Sequence, residues 1–306
     1  MKISIIGAGN VGSTTALRIA QEGLGEVVLI DVIKGLAQGK VFDLEDARAV
    51  LKYNYQIEGS DDISKIKDSN VIVITAGLAR KPGMTREELL QKNSAILKGI
   101  CGNIKKLSPK AIIIVVTNPL DLMTNFVLKI TGFSLKKVFG MGVSLDASRF
   151  ANLIAKELNI PVTDVEAVVI GSHGEAMLPL ARFSKIKGVA LDEFVDDKKL
   201  ELLVSKTIGR GAEIVNLLGS GSAYFAPSAA IAAMVKVIIK DEKRVIGVCA
   251  YLNGEYGIKD ICIGVPCRLG KDGIEKIIEL DLNKKELELL KGSALVIRKL
   301  SKQLPV

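Results

Sequence analysis

Short runs of Ile, Val and Leu alternate with amphipathic segments along the first half of the chain. The runs KISII (2–6), EVVLI (26–30), NVIVITAG (70–77) and AIIIVVTNP (111–119) are almost entirely apolar, as in parallel strands that are buried on both faces. The segments STTALRIAQEG and EELLQKNSAILKGICGNIKKLSP have helical spacing, and Gly23 is a stop signal for the first. This alternation predicts a doubly wound parallel α/β sheet over residues 1–143.

The pattern changes in the second half of the chain. A helix is predicted over 146–160, a strand running into a histidine over 164–175, and two helical stretches over 197–240. Short strands are predicted from 244 to about 280, with a turn at Asn253-Gly254. No Pro/Gly/Ser-rich linker marks the junction. Residues 144–306 are therefore expected to form a mixed α+β domain that shares an interface with the first.

A glycine-rich motif follows the first strand at once. GAGNVG has the spacing GxGxxG between a strand and a helix, and the second strand ends at Asp31. This context is typical of a dinucleotide-binding Rossmann domain. Gly7 permits the tight turn, Gly9 lets the main chain approach a pyrophosphate, and Gly12 allows close helix–strand packing. Asp31 would accept hydrogen bonds from the ribose hydroxyls and repel a 2′-phosphate, so NAD is favoured over NADP.

Composition and charge exclude several classes of protein. The chain is 48% hydrophobic and 25% charged, as globular proteins are. The net charge of +8 is spread among acids without a basic run, which argues against a nucleic-acid partner. The four cysteines have neither zinc nor disulfide spacing, so we expect no metal and a reducing cytoplasm. Neither a membrane-spanning run nor a signal peptide is recognisable.

Two arginines stand in a segment that follows a predicted strand. GLARKPGMTREELLQKN carries Arg80 and Arg86, with Pro82 and Gly83 between them. Taken alone, the segment favours a solvated surface loop. Ligands of doubly wound sheets, however, lie beyond the carboxyl ends of the strands. That position favours a substrate loop that closes over the site.

His173 is the one histidine of the chain and is flanked by glycines in GSHGE. Glycine neighbours leave the imidazole accessible, and its titration near neutral pH suits proton transfer. Asp146 is the candidate carboxylate for fixing its tautomer. Arg149 shares a helix face with Asp146, and taken in isolation the pair favours an ordinary i,i+3 helix contact over a site.

The chain resembles the lactate/malate dehydrogenase family over essentially its full length. The matching segments, in the family's order, are GAGNVGST, LIDV, TAGLARKPGMTREELLQKN, VVTNPLDLMT, LDASRF, GSHGE and GSAYFAPSAA. Seven motifs in register are far more specific than any one of them. LDASRF departs slightly, since the family more often has Ser-Ala at its middle two positions, but Asp146 and Arg149 stay in place.

The resemblance implies a role for each matched position. His173 would donate and accept the proton, with Asp146 orienting it, and Arg149 would hold the substrate's C1 carboxylate. Arg86 would polarise the reacting carbonyl, and Asn118 would hydrogen-bond the substrate oxygen near the nicotinamide. The implied cofactor-binding positions are Gly7, Ala8, Gly9, Asn10, Val11, Gly12, Asp31, Thr75, Ala76, Gly77, Asn93, Val116, Thr117 and Asn118.

Arg80 distinguishes between the substrates of the family. Members acting on malate carry arginine there, whereas members acting on lactate typically carry an uncharged residue. Malate and oxaloacetate have a second carboxylate that a closed, low-dielectric site cannot leave unpaired. The small residues of GSAYFAP also leave room for the larger acid. The expected reaction is the reversible oxidation of (S)-malate by NAD+, with a lactate dehydrogenase or broader 2-hydroxyacid dehydrogenase as the alternative.

Other properties follow from the resemblance alone. It implies a homo-oligomer, a tetramer rather than a dimer, that acts in the tricarboxylic acid cycle on a small-molecule substrate, without a membrane or nucleic-acid partner. A dinucleotide-binding module without catalytic activity is a further alternative. Such a module would have no use for a proton acceptor and two arginines directed at carboxylate and carbonyl groups, which weighs against it.

Overall fold

The computed structural model describes residues 1–78 and 85–304, with Arg86 described by its main chain. The first half of the chain contributes the parallel strands β1 (Lys2–Ile6), β2 (Glu26–Ile30), β3 (Ile57–Ser60), β4 (Val71–Ile74), β5 (Ile112–Val115) and β6 (Val138–Gly140). They lie in the order β3-β2-β1-β4-β5-β6, which is the order of a Rossmann sheet. All residues of β4 and β5 are buried, as their apolar runs predict. The predicted doubly wound sheet is confirmed.

The helices follow the amphipathic segments. The α-helices of the described chain are α1 (Asn10–Gln21), α2 (Leu36–Leu51), α3 (Arg86–Leu107), α4 (Leu120–Thr131), α5 (Val143–Leu158), α6 (Asp197–Leu218), α7 (Phe225–Lys240) and α8 (Lys284–Ser301). Single 3-10 turns are formed by Ile63–Ile66, Val162–Asp164, Ala181–Phe183, Leu191–Glu193 and Glu255–Gly257. The helices α3 and α8 begin with capping boxes, whereas no side chain caps α1 or α4. Both uncapped ends lie where the site is built.

The second half extends the same sheet with antiparallel strands. These strands are β7 (Val165–Glu166), β8 (Val169–Gly171), β9 (Met177–Pro179), β10 (Lys185–Ile186), β11 (Val189–Ala190), β12 (Arg244–Asn253), β13 (Lys259–Gly270) and β14 (Gly273–Ile277). Next to β6 the order continues as β12-β13-β8-β9, and β14 pairs with β13. The strands β7, β10 and β11 form a small separate sheet.

Two details of the second half differ from the sequence-based expectation. The strands β12 and β13 are 10 and 12 residues long rather than short, because they pair with each other along almost their whole length in spite of Gly247, Gly264 and Pro266. The chain does reverse after Asn253, but not in a two-residue turn. Asn253 pairs with Lys259, and the 3-10 turn fills the connection. The predicted interface between the halves is confirmed, since α1 packs against α7 and Arg18 Nε donates to Ser228 Oγ at 3.1 Å.

Candidate active site

His173 lies in a short loop whose main chain is held by two helices. The loop leaves β8 at Gly171, whose φ of 88° lies in the region that favours glycine. The N–H of Ser172 donates to Oγ of Ser293 on α8 at 2.8 Å. The N–H of His173 donates to Oδ2 of Asp121 on α4, also at 2.8 Å. The loop is therefore fixed from both halves of the chain, and the His173 side chain is 14% exposed.

Asp146 is the charged partner of the imidazole. Its Oδ2 lies 2.7 Å from Nδ1 of His173, and the carboxylate is completely buried. Because an ionised carboxylate only accepts hydrogen bonds, Nδ1 carries the proton and Nε2 of the neutral ring is free to accept one. Burial pushes the pKa of His173 down, but the charge and hydrogen bond of Asp146, together with the charge of Asp121, outweigh it. The pKa is therefore raised above 6.5.

Arg149 lies one turn along α5 from Asp146. Its NH1 donates to Oδ1 of Asp146 at 3.3 Å, so imidazole and guanidinium share one carboxylate. Burial lowers the pKa of Arg149, and its guanidinium packs against Gly211 of α6. The buried Nε has no hydrogen-bond partner among the described residues. A partly exposed cation beside an imidazole suits a substrate carboxylate.

The glycine-rich turn has room for a ligand on one side and none on the other. Gly7 has a φ of 111°, and a Cβ there would lie 2.6 Å from the nitrogen of Ala76. A Cβ on Gly12 would overlap the carbonyl oxygen of Gly7. A Cβ on Gly9, in contrast, would have no described atom within 4 Å. The turn therefore closes tightly on the sheet and opens at Gly9, where the uncapped N–H groups of α1 begin. These residues fit the pyrophosphate of a dinucleotide.

Asp31 and Lys40 hold this turn through the main chain of Ala8. The N–H of Ala8 donates to Oδ2 of Asp31 at 2.7 Å, and the N–H of Ile33 donates to Oδ1 at 3.0 Å. Nζ of Lys40 donates to the carbonyl of Ala8 at 2.7 Å and lies 3.3 Å from Oγ of Ser13. The carboxylate predicted to recognise the ribose is thus fixed beside the turn. Lys40, which had not been predicted, adds a positive charge there.

The strand-end loops around the cleft are joined by threonine hydroxyls. Oγ1 of Thr75 donates to the carbonyl of Gly7 at 2.9 Å, and Oγ1 of Thr117 donates to the carbonyl of Ala76 at 2.6 Å. A Cβ on Gly77 would press on the methyl group of Thr117 at 2.5 Å. These predicted cofactor positions therefore form one connected edge of the sheet.

Asn93 is completely buried and bonds to two loops of this edge. Its Nδ2 donates to the carbonyl of Asn118 at 2.7 Å, and its Oδ1 accepts the N–H of Leu78 at 2.7 Å. Asn118 is exposed at the mouth of the cleft and precedes a cis peptide bond to Pro119. The side chain of Asn93 thus fixes the main chain of Asn118. Any effect of Asn93 on a bound cofactor would therefore act through Asn118.

The predicted substrate loop falls outside the described residues. Arg80, Pro82 and Gly83 belong to that part of the chain, and only the main chain of Arg86 is described, where it begins α3. The loop is followed by the capping box in which Oγ1 of Thr85 accepts the N–H of Glu88. The predicted roles of Arg80 and Arg86 stay predictions.

Within residues 1–78 and 85–304, no group of three or more His, Cys, Asp or Glu side chains could hold a metal ion. No helix of that part of the chain is both long and apolar enough to cross a membrane. The four cysteines are unpaired and buried, and burial raises the pKa of Cys101 to about 12.

Asp121 was missed by sequence reasoning. Its segment was recognised as a motif, yet an acid in the first turn of a helix usually needs no further explanation. Its two hydrogen-bond donors, Ser172 and His173, are 51 and 52 positions away. A signal did exist, because Asp121 stands among apolar residues in LDLMTNFVL, and an acid that is buried among them requires a partner.

Models of one protein family match almost the whole chain. The lactate/malate dehydrogenase NAD binding domain matches residues 1–140, and the lactate/malate dehydrogenase alpha/beta C-terminal domain matches residues 143–304. Together with the Rossmann sheet, these matches define an NAD-dependent oxidoreductase. The chain belongs to the lactate/malate dehydrogenase family.

This chain is similar in sequence and in structure to malate and lactate dehydrogenases. Malate dehydrogenase of Methanosarcina mazei is 50% identical over 299 residues, which cover 98% of this chain and 97% of that protein. The apo malate dehydrogenase of Picrophilus torridus superimposes with a TM-score of 0.95 at 42% identity, covering 98% and 96% of the two chains. Lactate dehydrogenase of Cryptosporidium parvum, with lactic acid and nicotinamide adenine dinucleotide, also gives 0.95 at 36% identity, covering 99% and 97%. The fold therefore does not distinguish the two substrates.

Proposed function

We propose that the chain is a malate dehydrogenase, which converts (S)-malate and NAD+ reversibly to oxaloacetate, NADH and a proton. The observation that carries the proposal is the cluster in which Asp146 bonds both His173, at 2.7 Å, and Arg149, at 3.3 Å. The name of the Methanosarcina mazei relative and the presence of Arg80 in the sequence support malate over lactate.

His173 moves the proton in this reaction. Its neutral Nε2 accepts the C2 hydroxyl proton of malate, and the completely buried Asp146 stabilises the imidazolium that results. In the reverse direction the imidazolium returns the proton to the carbonyl oxygen of oxaloacetate. The raised pKa of His173 keeps a substantial imidazolium fraction near neutral pH, as reduction requires.

Arginines orient the acid. The guanidinium of Arg149, on a side chain that is 12% exposed, supports a bond to the C1 carboxylate beside the imidazole. The resemblance assigns the reacting oxygen to Arg86 and Asn118, and the C4 carboxylate to Arg80. Together they would place the C2 hydroxyl at His173 and exclude water from it.

The cofactor would lie along the strand ends. The open main chain at Gly9 and the start of α1 would hold the pyrophosphate, and Asp31 the adenosine ribose. The nicotinamide ring of bound NAD+ supplies the hydride acceptor, and that of NADH the donor. The edge held by Thr75 and Thr117 would complete the cleft.

The chain would act as two domains, residues 1–143 for NAD and residues 144–306 for the substrate and catalysis. The start of α5 at Val143 and the two family matches, which meet at residues 140–143, support this division. Hydrogen exchange of the whole protein with and without NADH tests it. Protection confined to residues 144–306 would contradict it.

We also propose a cellular location, a metabolic role and an assembly for the enzyme. Free, buried cysteines support a reducing cytoplasm, and a malate substrate supports a role in the tricarboxylic acid cycle. Large exposed apolar side chains, among them Val50 (82%) and Leu217 (81%), support a homo-oligomer, for which we propose a tetramer. Light scattering coupled to size exclusion tests the assembly, and a monomer would contradict it.

A steady-state assay that crosses two substrates with two cofactors tests the proposed activity. NADH oxidation is measured with oxaloacetate and with pyruvate, and each reaction is repeated with NADPH. We expect turnover with oxaloacetate and NADH to exceed all others. Pyruvate turned over as well as oxaloacetate would favour the alternative, a lactate dehydrogenase or a broader 2-hydroxyacid dehydrogenase, whose fold is equally similar.

Arg80→Gln tests the residue that decides the substrate. The variant should lose oxaloacetate turnover and gain relative preference for pyruvate, because the second carboxylate loses its charge partner. The ratio of kcat/KM for oxaloacetate to kcat/KM for pyruvate should fall roughly a thousandfold. Lys81→Gln, an adjacent loss of positive charge, is the matched control. Equal effects of Arg80→Gln on both substrates would leave Arg80 a structural residue only.

A further inference from the structure

Asp121 is a buried carboxylate that the proposed proton transfer does not use. It is 4% exposed and lies in the first turn of α4. Its Oδ2 accepts the hydroxyl of Ser172 and the N–H of His173, both at 2.8 Å. Its Oδ1 has no hydrogen-bond partner within the described chain. A buried carboxylate is costly, so its retention beside His173 requires a reason.

The bonds of Asp121 connect the two halves of the chain. Asp121 lies three positions after Asn118, whose carbonyl is held by Asn93 at 2.7 Å. The Ser172–His173 loop belongs to the second half. Asp146 fixes the ring of His173, whereas Asp121 fixes its main chain. The side chain proposed to take the proton and the segment proposed to hold the substrate oxygen are therefore joined through one carboxylate.

Asp121 only accepts hydrogen bonds, as an ionised carboxylate does. Burial raises its pKa, whereas the Cys249 thiol, the charge of His173, the Ser172 hydroxyl and the N–H of His173 act to lower it. Oδ2 accepts two donors, and the positive end of α4 lies beside it. The charge of Asp121 adds to burial and to Cys262 in raising the pKa of Cys249.

The charged groups that face His173 come from two helices. Asp146 and Arg149 lie on α5 and Asp121 on α4, where Asp121 also neighbours the neutral Cys249 thiol of β12. Burial and Arg149 lower the pKa of His173, whereas the two carboxylates raise it. Loss of either carboxylate charge should therefore lower it.

We propose that Asp121 is a positioning residue that keeps the main chain of His173 in register with Asn118 and places a buried negative charge 2.8 Å from its nitrogen. The inference rests on the proposed role of His173 in proton transfer. It assigns a second carboxylate to the site, one that acts through His173 without contacting the substrate.

The single histidine of the chain makes the charge effect directly measurable. Selective ¹³C or ¹⁵N labelling of histidine gives one imidazole signal, whose pH titration yields the pKa of His173. Asp121→Asn retains an acceptor for Ser172 and His173 but removes the charge. We expect it to lower this pKa by roughly one unit. A pKa equal to that of the unmodified protein would overturn the proposal.

Ser172→Ala is the matched control. It removes one hydrogen bond to the same Oδ2 without changing charge, so the pKa of His173 should stay within a few tenths of a unit. A decrease as large as that of Asp121→Asn would also overturn the proposal, because a lost bond would then explain both.

If Asp121→Asn does not fold, Ser172→Ala still tests the bond between Asp121 and the Ser172–His173 loop. Its kcat should fall several-fold with KM unchanged. A kcat unchanged from the original protein would count against it.

Kinetics separate positioning from a merely structural role. For Asp121→Asn we expect the kcat of oxaloacetate reduction at pH 8 to fall about tenfold, in proportion to the lost imidazolium fraction. Affinity for NADH, measured by fluorescence, should be unchanged. Weakened NADH binding with an unchanged pH profile would indicate general damage and would overturn the proposal. The titration needs no substrate, so failure of the proposed reaction would appear separately, as absent turnover by the unmodified protein.

Discussion

The cofactor cleft and the cluster at His173 are built from different parts of the chain. The pyrophosphate end of the cleft is made largely of main chain within one continuous stretch, from Gly7 to Lys40. The cluster is made of side chains from α4, α5 and the loop after β8, which belong to both halves. A site made of main chain can be recognised in the sequence by regularly spaced glycines, because glycine is needed wherever a side chain would collide. A cluster of side chains from separate elements has no such fixed spacing in the sequence.

The substitution with the largest expected effect, at His173, should impair the cluster and leave the cofactor cleft unchanged. His173→Asn should lower kcat for oxaloacetate reduction by about a thousandfold or more, because the general acid is lost. NADH binding depends on the other region and should stay within twofold of the original affinity. The measurements are stopped-flow absorbance at 340 nm for turnover and a fluorescence titration for binding. Retained turnover would show that another group moves the proton.

A smaller effect is expected from the cleft. Asp31→Ser should reduce the preference for NAD over NADP by roughly a hundredfold, since a carboxylate no longer faces the 2′-phosphate. Part of the NAD affinity should be lost as well, because Asp31 also holds the N–H of Ala8. The kcat/KM values for both cofactors measure this. An unchanged ratio would mean that Asp31 only shapes the turn.

The pH dependence tests the cluster without a mutation. The raised pKa of His173 means that kcat/KM for reduction is highest at low pH and falls tenfold per unit above that pKa. Malate oxidation needs the neutral ring and should rise across the same range. The stability contribution of the protonated ring is fully present below 6.5 and is lost as pH rises through the folded pKa. A common midpoint at or below 6.5 would contradict the assignment.

The smallest effect concerns Lys40. Lys40→Met should weaken NADH binding about three- to tenfold, because the turn loses a bond to the carbonyl of Ala8 and a positive charge near the pyrophosphate. Lys34→Met, an exposed lysine of the same segment, is the control. Binding of adenosine, which has no pyrophosphate, should be unaffected in both. Equal losses of NADH affinity in the two variants would show that net charge, and not the bond to Ala8, causes the effect.

The fold was more predictable than the site. The strands β1 and β2 begin and end where the predicted segments do, because their buried positions, apart from Ser4, are all Ile, Val or Leu. His173, Asp146 and Arg149 were recognised by residue type and by resemblance, but their distances depend on how α5 packs against the loop after β8. The structure also revealed Asp121, whose donors are remote in sequence.

The buried thiols give a way to observe how the two halves unfold. Cys101 lies in α3, whereas Cys249, Cys262 and Cys267 lie in β12 and β13. An alkylating reagent reaches each of them only when its surroundings open, so labelling rates under native conditions measure local opening free energies. Because one sheet runs through both halves, the first thiol and the other three should be modified at similar rates. The molecule thus carries its own internal probes of cooperativity, one set on each side of the junction.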